Sequence, residues 1–353
     1  MNKPKKSVRR KSDAITINDV ARHAGVSPMT VSRVINGQNR VRDSTRESVQ
    51  RAVRELGYTP NLAASSLAAA QNTRVAVIYT DPSGAYLREL LIGLLRVASR
   101  TAIQLIIDYW DELDADTERK AARALAKKVD GVILPPPLCE SRVAVGELVK
   151  AGIPVVAIAS GRHGDDVSCV RIDDLRAGHE LAQHLIDKGH QRIGFIKGRP
   201  DLSASARRLE GFSTALGEAG IAVDRQLIQA GDYTYRSGLA AAEKLLGLRK
   251  PPTAIIASND DMAAAVVSVA HRRGLDVPRD LSVVGFDDSS AATTVWPELT
   301  TVNQPIAAMA DAAIDVLLRD IRRRGEGTRV LSDHVVPHRL VIRDSVAPPR
   351  RRR

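Results

Sequence analysis

Aromatic side chains are scarce in this chain of 353 residues: three phenylalanines, six tyrosines and two tryptophans, 3% of the whole. Little surface is therefore available for stacking on flat rings, and each tryptophan carries weight as a candidate wall of a binding site. Cysteine is scarcer still. Cys139 and Cys169 cannot form a disulfide framework, which fits a reducing compartment and two small buried thiols. No run of about 18 apolar residues occurs, so no membrane span is expected. The opening MNKPKKSVRRKSD is basic but leads into no apolar segment. No secretion signal is read, and the expected location is the cytoplasm.

Motifs for group-transfer chemistry are missing as well. No GxGxxG follows a strand, no GxxxxGK[ST] occurs, and there is no GxSxG elbow, so neither a nucleotide cofactor nor a nucleophile is supported. The eight histidines do not cluster with cysteines or carboxylates at metal spacing. His23 falls in the first helical segment, and His179, His184 and His190 fall on or after one later helix. No catalytic residue, metal or cofactor is expected, and the chain does not read as an enzyme. The closing RDSVAPPRRRR ends in two prolines followed by four arginines, which cannot continue as a coiled coil.

What is present is charge, unevenly placed. The net charge is +11. Residues 1–74 carry 14 Lys and Arg against 5 Asp and Glu, the last seven residues add four arginines, and −2 is left for the middle. A basic N-terminal module on a near-neutral body points to a polyanion partner, most simply nucleic acid. Residues 1–14 and 347–353 themselves read as disordered basic tails. A hydrophobic fraction of 44% supplies real cores, and the length suits two or three domains.

Residues 15–60 read as three short helices. TINDVARHAG begins with Thr16 as N-cap and Asp19 three residues on, and buries Ile17, Val20, Ala21 and Ala24. SPMTVSRVING starts with Ser27 as cap and Pro28 in the first turn. Pro28, Val31, Val34 and Ile35 share one side, with Met29, Arg33 and Asn36 on the other. The third helix runs from Asp43 to Leu56 with Val49, Ala52, Val53 and Leu56 inward, and Gly57 and Pro60 close it. Two helices joined by a tight Gly-Val turn, with a third across both, make a helix-turn-helix whose second helix enters the major groove. Arg33 then suits a bidentate contact to guanine and Met29 a thymine methyl. Thr16, Ser27, Thr30, Ser32 and Asn36 are candidates for phosphate or base contacts, with Pro28 bringing the chain close. Arg40, Arg42 and Arg46 suit phosphates, which position without specifying.

Residues 61–71, NLAASSLAAAQ, are too few for a stable isolated helix and should order only on a partner surface. From Val75 onward, apolar strands alternate with amphipathic helices: VAVIYT, IQLIIDYW, GVILPPP, PVVAIAS, RIGFIKG, AIIASND and SVVGFDD, with segments such as LRELLIGLLRVASR and ASARRLEGFSTALGEAG between them. Repeated βα units of this number predict two parallel sheets covered by helices. Ligands of open α/β sheets sit at the carboxyl ends of the strands. The polar residues there are Asp81, Asp108, Trp110, Asn259 and Asp287, with Arg208 early in a helix. Carboxylates, an amide, an arginine and an aromatic wall suit a polyhydroxylated ligand.

TINDVARHAGVSPMTVSRVING, followed by GYTPNLAASSLA, strongly resembles the LacI/GalR family of bacterial transcriptional regulators. The likeness is most specific in the first 70 residues and continues more weakly to about 345. It implies an all-α helix-turn-helix head, a hinge helix with linker over 61–74, and a two-lobed core over 75–346 similar to periplasmic binding proteins. The first lobe would comprise about 75–170 and 306–332, the second about 171–303 and 333–346. The resemblance makes Leu67, beside Ala64, the apolar wedge that paired hinge helices place in the minor groove. Arg208, Asn259 and Asp287 match its usual ligand contacts and Tyr233 an aromatic one. Asp81, Tyr86 and Trp110 complete the candidate set. Two departures stand out: Arg42 where a serine commonly precedes the third helix, and Ala68 where some members carry lysine. The implied protein is a nucleoid-associated homodimer. It represses carbohydrate-catabolic genes from a near-palindromic operator and is released by a sugar. The rivals are a corepressor-dependent, purine-type repressor and a plain solute-binding protein.

Overall fold

The computed structural model of the chain describes residues 16–35, 42–56, 73–80, 84–101, 103–110, 113–160, 166–324 and 330–350, and does not extend to the side chains of Ser32, Arg33, Ile35 and Asp43. The chain divides into two units, residues 1–72 and 73–353.

In the first unit, α1 (Ile17–Ala24), α2 (Pro28–Ile35) and α3 (Asp43–Glu55) close on a small core. Val20, Ala21, Val31, Val34, Val49 and Ala52 are buried there, with Ile17, Ala24, Val26, Val53 and Leu56 packed around them. The Thr16 hydroxyl and N–H both donate to Asp19 Oδ2, at 2.6 and 2.9 Å, which caps α1. α1 ends because Gly25 turns left-handed at φ 66°, a conformation glycine reaches without strain. Ser27 Oγ accepts from the Thr30 N–H at 3.2 Å to open α2. Pro28, grouped by spacing with the inward residues, is exposed: it sits where the chain enters the helix, and the core contact of α2 begins at Val31. Arg42 occupies the N-cap of α3 and makes no capping bond to it.

The second unit opens with a six-stranded parallel sheet. Its strands are β1 (Thr73–Tyr79), β2 (Ile103–Tyr109), β3 (Gly131–Leu134), β4 (Val155–Ile158) and β5 (Ser168–Arg171), joined much later by β11 (Asp333–Val335). Their order is β11-β5-β4-β3-β1-β2. Helices α4 (Gly84–Ala98), α5 (Ala115–Ala126) and α6 (Arg142–Lys150) connect them. All four residues of β3 and of β4 are buried, as parallel strands covered on both faces must be.

After α7 (Asp174–Asp187) comes a four-stranded parallel sheet in the order β7-β6-β8-β9, made of β6 (Ile193–Ile196), β7 (Ile228–Gln229), β8 (Ala254–Ala257) and β9 (Ser282–Val284). Its helices are α8 (Ser203–Glu218), α9 (Tyr235–Leu246), α10 (Asp260–Arg272) and the short α11 (Ser290–Thr294). The chain then returns through β10 (Thr301–Asn303), lays α12 (Ile306–Arg324) on α4, adds β11 to the first sheet, and crosses again through β12 (Arg339–Val341), antiparallel to β10. One continuous apolar core runs from Val75 and Ile133 of the first sheet through Ile172 and Val336 to Phe195 and Val284 of the second.

Two sequence expectations about the second unit change. Residues 333–335, assigned to the second lobe, run beside β5 in the first sheet, so the last crossing falls after Val335. Residues 347–350, read as tail, are held in place. The Ala347 N–H donates to Ser282 Oγ at 3.1 Å, the Ala347 carbonyl pairs with His190 Nε2 at 2.9 Å, and Arg350 pairs with Asp280.

Candidate functional site

The carboxyl ends of both sheets meet at a cavity of about 520 Å³ between the lobes. The first lobe contributes Gly84, Tyr86, Pro136, Pro137 and Ala159; the second contributes Arg199, Leu202, Ala204, Arg208, Asp232, Tyr233, Thr234, Tyr235, Asp261 and Asp287; Gln304 comes from a crossing.

Arg208 reaches this wall because α7 and α8 lie unusually close. A Cβ on Gly178 would stand 2.3 Å from the Arg208 carbonyl, and one on Gly211 would stand 1.9 Å from the Leu175 carbonyl. The approach lets Arg208 Nε donate to Asp174 Oδ1 at 2.7 Å and its Nη1 donate to the Ser258 carbonyl at 2.6 Å. The guanidinium also lies 3.5 Å from the centre of the Phe286 ring. Burial works against the Arg208 charge, but Asp174, Tyr233 and Asp287 more than offset it and hold the proton tightly. Burial raises Asp174 despite Arg208.

Asp287 sits at φ 107°, with Asp288 at 58°, Tyr233 at 74° and Ala159 at 58°. These are the four non-glycine residues with positive φ among the described residues, and three of them line the cavity. Such strain persists only where surrounding contacts over-determine it. Here the Asp287 N–H donates to the Val302 carbonyl at 2.9 Å and Gln304 Nε2 donates to Asp287 Oδ1 at 2.7 Å. Arg343 and Asn303 hold the neighbouring Asp288. Asp260 lies beneath, accepting from Thr301 Oγ1 at 2.6 Å and from the Ser289 N–H at 2.7 Å. Burial, together with the nearby carboxylates, raises both Asp260 and Asp287 well above the usual carboxylate range.

Tyr233 packs its ring where a Cβ on Gly198 would be, and burial pushes its phenol up to about 12. The Tyr86 hydroxyl is buried and has no hydrogen-bond partner among the described residues. Burial also pushes that phenol well above its ordinary value.

Of the sequence candidates, Tyr86, Arg208, Tyr233 and Asp287 come together in the cavity. Asn259 does not line it. Its Oδ1 caps α10 by accepting from the Met262 N–H at 3.0 Å, and its Nδ2 donates to the Tyr233 carbonyl at 2.8 Å. Trp110 is 4% exposed in the core beneath β1 and β3, with its indole N–H on Asp108 at 3.2 Å. Asp81 lies outside the described residues. Sequence reasoning missed Gln304, Asp232 and Asp261. Asp261 had a signal, since it follows Asn259 at the end of β8. Gln304 had little, because the strand before it has only three residues.

In the head, Met29 is 65% exposed, Ser27 and Thr30 share a 2.9 Å hydroxyl contact, and Thr16 is committed to Asp19. Asn36, Arg40, Ala64 and Leu67 lie outside the described residues, as do the side chains of Ser32 and Arg33. Among the described residues no group of three metal-ligating side chains stands together, and no helix is long and apolar enough to cross a membrane.

Residues 16–61 match the family of bacterial regulatory proteins of the lacI type, and residues 182–346 match a periplasmic binding protein-like domain. Catabolite control protein A of Priestia megaterium is 37% identical over 333 residues, covering 94% of this chain and 99% of that protein. Among solved structures, the transcriptional regulator CelR–cellobiose complex is 32% identical with a TM-score of 0.70, over 94% of this chain and 99% of that one. The lac repressor dimer bound to operator and the anti-inducer ONPF is 27% identical with a TM-score of 0.69, over 95% and 100%. A lacI-type head on a two-lobed core, shared with regulators over nearly the whole length, makes this chain a member of the LacI family of ligand-responsive transcriptional regulators and not an enzyme.

Proposed function

We propose that the chain is a homodimeric repressor whose inter-lobe cavity takes a carbohydrate, and that the carbohydrate releases it from a near-palindromic operator. The observation that carries this reading is the cavity itself. Arg208, Asp287 and Gln304 offer donors and acceptors in fixed positions, and Tyr86 and Tyr233 offer aromatic walls, a set that suits a ring bearing many hydroxyls. Asp81, which follows β1, belongs to the same set by its place in the sequence. Asn259 acts behind Tyr233. The CelR–cellobiose complex supports a sugar in this fold.

Met29 and Arg33 on α2 read base edges; Ser27, Thr30, Ser32 and Asn36 contact phosphates or bases, with Pro28 bringing the chain close and Arg40 on a phosphate, while Thr16 serves Asp19 at the start of α1; Leu67 with Ala64 forms the minor-groove wedge. Two-fold symmetry of the protein is mirrored in the operator. Ile107 and Tyr109 on the edge strand β2, with Ile92 and Leu95 on α4, leave exposed apolar side chains on the first lobe, and the second copy covers them. Ligand closure of the lobes changes the spacing of the two hinge segments, with a coupling of about 1–3 kcal/mol.

A thermal-shift panel of the purified protein against monosaccharides, disaccharides, sugar phosphates and purines tests the effector. A rise with a neutral sugar, about 2.7 kcal/mol at a hundredfold excess over Kd, supports the reading. A rise confined to purines replaces it with a corepressor.

A further inference from the structure

Glu140 ends the 3₁₀ turn Leu138–Glu140 of the first lobe, directly after the cavity-lining Pro136 and Pro137. The backbone fixes that turn. The Cys139 N–H donates to the Pro135 carbonyl at 3.1 Å, the Glu140 N–H to the Pro137 carbonyl at 3.0 Å, and the Ser141 N–H to the Leu138 carbonyl at 3.0 Å. The Glu140 carboxylate is thereby aimed across the cleft. Its Oε1 accepts from Ser160 Oγ of its own lobe at 3.2 Å, from the Ser203 N–H of the other lobe at 3.3 Å, and from the Ser203 hydroxyl.

Ser203 is the first residue of α8, the helix that carries Arg208. The first N–H groups of a helix have no partner within it and favour a negative charge. Helices usually meet this need with a Ser, Thr, Asp or Asn at the N-cap. α8 has Leu202 there, which makes no capping bond. The acceptor comes from the opposite lobe instead.

We propose that Glu140 is an inter-lobe latch: it caps α8 only while the lobes are closed, so opening the cleft uncaps the helix that carries Arg208. The borrowed cap biases the chain towards closure and ties the position of Leu202, Ala204 and Arg208 to the first lobe. The latch concerns closure alone and holds whether or not the occupant is a sugar.

Hydrogen exchange of the full-length protein without ligand tests it. Glu140→Ala is expected to speed exchange of the amides at 203–206 about tenfold, the scale of one helix cap. Glu140→Gln, which keeps an acceptor oxygen, restores part of the protection, and Ser203→Ala gives a smaller change of the same sign. Adding Leu202→Asp to Glu140→Ala gives α8 a cap of its own. Protection at 203–206 then returns, while the inter-lobe distance, read between nitroxides on Arg142→Cys and Gln226→Cys, stays longer than in the parent. The inference is overturned if Glu140→Ala leaves the 203–206 amides unchanged, if its effect stays within the 138–141 turn, or if the inter-lobe distance does not move. Should Glu140→Ala fail to fold, Ser203→Ala and Glu140→Gln carry the same comparison.

Discussion

The guanidinium of Arg208 and the carboxylate of Asp174 meet at 2.7 Å with 6% and 5% of their side chains exposed. Each is the other's compensation for leaving water. Removing one partner strands a buried charge, at a cost of about 3–5 kcal/mol. Asp174→Ala is expected to lower unfolding free energy by that amount in urea titration. A loss below about 1 kcal/mol would show that Ser258 and Phe286 suffice to hold Arg208.

Gly211 and Gly217 lie on the same helix and should respond oppositely to alanine. A Cβ at 211 meets the Leu175 carbonyl at 1.9 Å, whereas one at 217 meets nothing within 4 Å. Gly211→Ala must push α7 and α8 apart and is expected to cost about 3 kcal/mol. Gly217→Ala is expected to gain about 0.5–1 kcal/mol through helix propensity. Thermal melts of the two variants give the comparison, and similar melting points would refute the close packing.

Asp287 and Asp260 make stability depend on pH in an unusual direction. A carboxyl raised by burial binds its proton more tightly when folded. Its stabilising effect is complete below the ordinary carboxylate value of about 4 and is lost as pH rises through the raised folded value. Wild type should therefore lose stability relative to Asp287→Asn as pH climbs from about 4 towards neutrality, by at most about 1.4 kcal/mol per pH unit for each proton. Parallel denaturation curves at every pH would mean that Asp287 is already ionised at little cost.

Tyr86→Phe removes a buried hydroxyl that has no partner among the described residues. Ligand-free stability should stay level or rise by about 1 kcal/mol, since an unmet polar atom is lost. Affinity for the sugar identified by thermal shift should fall about tenfold, the scale of one hydrogen bond. Calorimetry that finds unchanged affinity would take Tyr86 out of the ligand's reach.

Leu67→Ala tests the hinge. Loss of the wedge should weaken binding to operator about tenfold or more and leave binding to unrelated duplex, which is driven by phosphate contacts, unchanged. Fluorescence anisotropy on both DNAs at one salt concentration distinguishes the two, and equal losses would count against a wedge.

The first two helices of the head were legible because their limits are written locally: Thr16 with Asp19 starts α1, Gly25 ends it, and Ser27 with Pro28 starts α2, whereas Arg42 gives α3 no cap. The βα repeats were legible because strands such as β3 and β4 are buried on both faces and read as plain apolar runs. Arg208 and Asp287 could be found from strand and helix ends. Trp110 and Asn259 could not be told apart from ligand contacts, because short-range partners decide their roles. Asp108 satisfies the indole two residues away, and the Met262 N–H satisfies the amide three residues away. Gln304 and Glu140 depend on contacts far off in sequence, across crossings that periodicity does not show.

The late arrival of β11 has a consequence for synthesis. During translation β5 emerges as the outermost strand on its side of the first sheet, and it stays so while the whole second lobe and α12 are made. Its partner, Asp333–Val335, comes only near the end. A nascent chain thus carries an unpaired strand edge beside a half-finished neighbour, a template for joining other chains. The ribosome-bound intermediate, more than the finished protein, exposes that edge, and chains ending just short of Asp333 would keep it open.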